Sequence, residues 1–187
     1  MNIYELRDIA VKSGRAVFTA QQFAALIGRP RPIALVYLSR MVKKKLAIRV
    51  LRGYVSFSDD DFIIATQLLE PSYITAVSAL NMHGLVQQVP GSIGCATTRN
   101  SRRYPKMGIA YHRIPPSLFF GYARQGKGSS YIMLAEPEKA LIDAVYLNLL
   151  PPNAARELMG SVDAGKLHGY LSRFKGRGKK KLRRCFM

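Results

Sequence analysis

Cysteine is almost absent from this 187-residue chain, and the two present, Cys95 and Cys185, stand far apart with no CxxC pairing. A disulfide framework and a cysteine-based zinc site are thereby excluded. No run of 18 consecutive apolar residues occurs, so no membrane-spanning helix of ordinary length is expected. The opening Met1-Asn2-Ile3-Tyr4-Glu5-Leu6-Arg7-Asp8 lacks the basic-then-apolar order of a secretory signal, and a cytoplasmic chain with no membrane partner is the expectation. Histidine is scarce as well. His83, His112 and His168 stand singly, without a carboxylate or second ligand at a useful spacing for a base or a metal. Ser117, Ser129 and Ser130 lack a nucleophile-elbow context, and Gly126-Lys127-Gly128-Ser129-Ser130 is too short and misordered for a phosphate-binding loop. No catalytic residue, metal or cofactor is expected, and the chain reads as a non-enzyme.

Negative charge is the most telling shortage: 11 Asp+Glu face 29 Lys+Arg, a formal +18 with a pI near 10.3. At 48% hydrophobic and 21% charged the chain has the composition of a folded protein, not a disordered one. Such an excess attracts polyanions, nucleic acid foremost, although charge alone does not say which. Its position along the chain is therefore informative.

The first 58 residues predict a winged helix-turn-helix. Leu6, Ile9, Ala10 and Val11 mark a short amphipathic helix that stops at Gly14, and Ala16-Val17-Phe18 is β-like. Thr19 followed three residues later by Gln22 is a capping box opening a helix with Phe23, Ala24, Leu26 and Ile27 inward, ended by Gly28. A third helix runs from about Pro32 to Lys44 with Ala34, Leu35, Leu38, Met41 and Val42 as its buried side. Residues 47–50 and 54–57 then form a hairpin wing around Leu51-Arg52-Gly53. An α-helix fits the DNA major groove, which assigns Arg31, Ile33, Tyr37 and Arg40 to the groove and Arg29, Lys43 and Lys44 to phosphates. Arg49 and Arg52 of the wing face the minor groove or backbone. Residues 1–58 carry eleven Lys+Arg against Glu5 and Asp8.

Beyond this, Asp59-Asp60-Asp61 caps a linker helix over residues 59–71. Residues 72–174 read as a mixed α/β domain with a small sheet, so the chain as a whole is α+β. Ser72 is expected to cap a helix reaching Met82 and closed by His83-Gly84. Strands are expected at 85–89, 93–98, 109–114 and 131–134, and a helix opens at Glu136-Pro137-Glu138. Glu136, Glu138 and Lys139 invite comparison with metal-dependent nucleases, but helix capping accounts for the carboxylates better. Arg99, Arg102 and Arg103 form a basic loop suited to phosphates or an acidic partner, with a merely solvated loop as the equal alternative. The basic tail, 175–187, includes Lys179, Lys180 and Lys181; its self-repulsion predicts disorder.

With these motifs in place, the chain resembles an AbiEi-type antitoxin, the regulatory half of a type IV toxin–antitoxin or abortive-infection system. The resemblance is carried by Arg49-Val50-Leu51-Arg52-Gly53-Tyr54-Val55, Ser72-Tyr73-Ile74, Ser78-Ala79-Leu80-Asn81-Met82-His83-Gly84-Leu85, Thr97-Thr98-Arg99, Phe119-Phe120-Gly121-Tyr122 and Leu134-Ala135-Glu136-Pro137-Glu138-Lys139-Ala140-Leu141-Ile142-Asp143. It implies a transcriptional repressor that binds duplex DNA at operator inverted repeats of its own operon. It also implies a C-terminal domain that counters a cognate nucleotidyltransferase-like toxin, often without a stable complex. An RNA-binding or nuclease-related basic accessory protein is the alternative reading of the charge.

Overall fold

Asn2 opens the first helix: its side-chain oxygen accepts the Tyr4 and Glu5 N–H groups at 2.8 and 2.9 Å, and the Glu5 carboxylate accepts the Asn2 N–H at 2.8 Å. That reciprocal cap starts α1 (Ile3–Lys12). The computed structural model describes residues 2–186, and the fold is α+β. β1 (Val17–Thr19) leads into α2 (Ala20–Ile27), where the expected Thr19/Gln22 capping box is formed. Gly28 ends α2 at φ 61°, a left-handed conformation open to a residue without Cβ.

After the turn come α3 (Arg31–Lys43) and an antiparallel hairpin of β2 (Ile48–Leu51) and β3 (Tyr54–Ser56). β3 is the centre of a three-stranded sheet, order β1-β3-β2. Leu6, Phe18, Phe23, Ala34, Leu38 and Met41 close the core against these elements. Next, α4 (Asp61–Leu68) is capped by Asp60, which accepts the Phe62 and Ile63 N–H groups at 2.9 and 3.1 Å. A linker was expected here, but Ile63 to Leu68 are all buried. Gln67 supplies the reason, since its Oε1 accepts the Ala16 and Val17 N–H groups and its Nε2 donates to Ser130 Oγ and the Tyr131 carbonyl. By packing, the first compact unit is residues 1–68 with 126–132.

The second unit is residues 69–125 with 133–187. It contains β4 (Ser72–Ile74), α5 (Ala76–Met82), β5 (Ile93–Thr97), β6 (Arg102–Tyr104) and β7 (Ile109–Arg113). β8 (Tyr122–Lys127) and β9 (Ser130–Ala135) follow, their residues 126–132 counted with the first unit, and then α6 (Pro137–Tyr146), α7 (Pro152–Glu157), α8 (Ala164–Leu171) and α9 (Gly176–Phe186). The sheet is mixed, order β6-β7-β5-β4-β9-β8, with β5 parallel to β7 and β4 parallel to β9.

Three expectations are corrected. Ser72 does not cap a helix: it begins the buried strand β4, and Thr75 takes the N-cap position of α5. Residues 85–89 form no strand, because Asn81 Nδ2 donates to the Val86 and Gln88 carbonyls and holds that backbone as a loop. The tail is not disordered but forms α9, with Leu182, Cys185 and Phe186 buried at helical spacing.

Candidate nucleic-acid interface

The orientation of α3 follows from three residues. Ala34, Leu38 and Met41, at i, i+4 and i+7, are 0%, 4% and 0% exposed and set the inward direction. Leu35 lies about 100° around the helix from Ala34, so instead of joining the buried side it faces solvent at 45% exposure. Ile33 and Val36 are exposed at 44% and 49% with Arg40 exposed on the same face, and Arg31 is exposed in the first turn of the helix. Leu35, expected on the buried side, is therefore a surface residue, whereas Val36 is on the outward side where its spacing puts it.

The predicted DNA-contacting residues fall into separate groups. Arg29, Arg31 and Ile33 are exposed at the start of α3. Half-buried Tyr37 joins Arg40, Lys43 and Lys44 around a shallow pocket of about 440 Å³, whose other wall is Asn2 and Ile3. The Lys44 ammonium stands 5.7 Å from the Tyr4 ring centroid, a cation–π distance. Arg49 and Arg52 are exposed on the hairpin, Arg52 in its turn. Two neighbouring arginines serve the fold: Arg7 Nε donates to the Leu46 carbonyl and Arg15 Nε to the Val17 carbonyl.

Electrostatically this surface is one-sided. The fifty residues Ile9–Ser58 contain ten Lys+Arg and no Asp or Glu. Lys45 even occupies the left-handed position after α3, φ 57°, where glycine is the usual residue. The helix end is closed there by Leu46 N–H on the Met41 carbonyl and Lys45 N–H on the Val42 carbonyl.

In the second unit, Arg99 is exposed just beyond β5, while Arg102 and Arg103 lie exposed on β6, an edge strand of the sheet. Charges on an edge strand discourage pairing with another chain, which gives this pair a structural role. Burial, helped by the Arg103 charge, holds the His112 pKa below its ordinary value. The three tail lysines are split by α9. Lys180 and Lys181 line a pocket of about 360 Å³ with Arg156, Arg177 and Arg184, whereas Lys179 faces a different pocket with Arg183 and His168.

A buried polar cluster was not foreseen at all. Asp143, 1% exposed, accepts from Tyr73 Oη at 2.9 Å, from Thr75 Oγ1 at 2.8 Å and from the ammonium of Lys139, itself 0% exposed. That ammonium lies 5.6, 5.1 and 5.9 Å from the ring centroids of Tyr73, Phe120 and Phe174. Burial pushes the Lys139 pKa down while the Asp143 carboxylate opposes the shift, and burial with the nearby Asp143 charge pushes the Tyr73 phenol up. The signal in the sequence is Lys139 and Asp143 at i,i+4 among the apolar Ala140, Leu141, Ile142, Ala144 and Val145.

Nor do the neighbouring carboxylates cap α6 as expected. Glu136 stands at the N-cap position but makes no capping bond; it accepts from the Tyr170 hydroxyl and pairs with Lys166 at 3.1 Å. Glu138 accepts the Asp163 N–H at 3.0 Å. Among the described residues no three His, Cys, Asp or Glu side chains converge as a metal ion would require. With these charges committed to internal bonds, the solvent-facing chemistry lies in the cations of α3, the hairpin and α9. The chain matches no protein-family model and no curated protein.

Proposed function

We propose that residues 1–58 are a winged helix-turn-helix that grips duplex DNA, and that the protein is an autorepressing antitoxin of the AbiEi type. The observation carrying the DNA reading is the outward face of α3: exposed Ile33 and Val36 in line with Arg40 and Lys43, with Arg31 exposed at the helix start, in fifty residues without an acid. Apolar side chains suit base edges in the major groove and guanidiniums suit guanine edges or phosphates, so such a face is complementary to a duplex. In this reading Arg31, Ile33 and Val36 enter the groove, with Arg29, Arg40, Lys43 and Lys44 toward phosphates. Tyr37, being half-buried, positions the Arg40 side of the helix. Arg52 in the hairpin turn takes the minor groove or the adjacent backbone.

A gel shift on the DNA upstream of the gene tests this. Arg31→Ala with Arg40→Ala is expected to weaken the retarded band at least tenfold, since each such contact is worth about 1–3 kcal/mol. Undiminished binding by that double variant would defeat the assignment of α3. The antitoxin half rests on the sequence resemblance and on co-expression with the adjacent gene, which should be toxic alone and tolerated with this protein. Tighter binding to structured RNA than to the duplex at equal salt would favour the RNA-binding alternative.

A further inference from the structure

The pocket between α7 and α9 is ringed by Arg156, Arg177, Lys180, Lys181 and Arg184. Two of these cations are held in place by the fold. Arg156 Nε and Nη2 donate to the Cys185 and Arg184 carbonyls at 3.1 and 2.8 Å, and Lys181 Nζ donates to the Tyr146 carbonyl at 3.2 Å. The other three, Arg177, Lys180 and Arg184, are exposed and recur at i, i+3 and i+7, which stacks them along one side of α9. No acid follows Asp163 in the sequence.

Like charges three and four residues apart destabilise a helix, so α9 is not held by its own surface. Its docking holds it: Leu182, Cys185 and Phe186 are buried, and Gly178 sits where a Cβ would meet the Tyr146 ring at 2.8 Å. The fold thus maintains a row of cations on a helix that carries no acid. Because the apolar side of α9 is already buried, nothing is left to enter a bilayer, which disfavours a lipid surface. The row from Arg177 to Arg184 is about 10 Å long, about the axial rise of three phosphate-to-phosphate steps on one strand.

We infer that the α7–α9 pocket is a second nucleic-acid site, one that binds the phosphodiester backbone without reading sequence. The site is independent of α3 and needs no duplex. Full-length protein is titrated by fluorescence anisotropy into a single-stranded 20-mer, once as DNA and once as RNA, at 50 and at 200 mM salt. The triple variant Arg177→Ala, Lys180→Ala, Arg184→Ala should lose affinity for both strands. Its log-affinity slope against log salt should flatten by about 2, so wild type loses roughly 20-fold more affinity between the two salts. Arg31→Ala with Arg40→Ala should leave single-strand binding unchanged. Loss on one strand type alone assigns the backbone as DNA or RNA and upholds the site. An unchanged affinity and slope in the triple variant overturns it, as does loss of single-strand binding in the α3 variant alone. Capture of an acidic protein by wild type but not by the triple variant, with single-strand binding unaltered, would also overturn it. Melting temperature no lower than wild type establishes folding; should the triple variant melt early, Lys180→Glu alone is expected to weaken the same binding.

Discussion

In the second unit Lys139 is an ammonium with 0% exposure, paired among the described residues with the carboxylate of Asp143. Removing one member of a buried pair leaves an uncompensated charge, at a cost of about 3–5 kcal/mol. Asp143→Asn should therefore lower the melting temperature by roughly 10 °C. The apolar double variant Lys139→Met with Asp143→Leu should recover part of that loss in the same thermal scan, because neither member of the pair is then left charged and alone, although the Tyr73 and Thr75 hydroxyls lose their acceptor. A single variant as stable as wild type would show that the pair is not held as described. Asp60 makes a different prediction. Burial raises its pKa, but the hydrogen bond and charge of Lys127 and the N–H groups of Ile63 and Phe62 outweigh this and hold it below its ordinary 3.8. A depressed carboxylate contributes stability above its unfolded pKa and loses it as pH falls through the folded value. Asn at an N-cap keeps the hydrogen bonds and removes the charge. The stability advantage of wild type over Asp60→Asn, measured by denaturant titration, should be full at pH 6 and shrink progressively below pH 4.

At the scale of elements, α3 shows what periodicity can and cannot decide. Ala34, Leu38 and Met41 were legible as core, but the run of apolar residues Ile33 to Val36 is ambiguous by itself, and only the helix phase turns Leu35 outward. Exposed Ile33 and Val36 predict a preference that charge cannot give, since apolar side chains in the major groove meet the thymine methyl. Replacing thymine by uracil throughout the bound DNA should weaken wild type several-fold in a gel shift. It should have little effect on Ile33→Ala with Val36→Ala, and equal losses in both proteins would refute the contact. The α1 to β3 order was readable because each boundary carries a local device, such as Thr19 with Gln22 or Gly28 at positive φ. β4 was not readable, because Ser72, Tyr73 and Ile74 owe their conformation to β5 and β9, which are distant in sequence. α9 was not readable for another reason: the seven cations of residues 175–187 mask Leu182, Cys185 and Phe186, whose spacing is helical. The Lys139 cluster was hidden likewise, since Tyr73, Thr75 and Asp143 meet only in three dimensions.

For the molecule as a whole, the +18 resolves into three segments of different character. Residues 1–58 carry eleven cations and two acids, residues 59–163 nine cations and nine acids, and residues 164–187 nine cations and no acid. The excess is thus confined to the two ends of the chain, and the sheet domain between them is neutral. Polyelectrolyte binding responds to cations that displace condensed counterions, and a cation already balanced by nearby acids displaces fewer. Arg99 and Arg103 belong to the neutral segment, and Arg103 lies on an edge strand where charge has a structural use. Arg99→Ala with Arg103→Ala is accordingly expected to leave the salt slope on a long duplex within about 1 of wild type. Arg40→Ala with Lys43→Ala, both assigned to phosphates on α3, should flatten that slope by about 2. A slope change in the Arg99/Arg103 variant as large as that of the α3 variant would mean that the basic loop contacts nucleic acid after all, and that the neutral balance of residues 59–163 conceals a third binding surface.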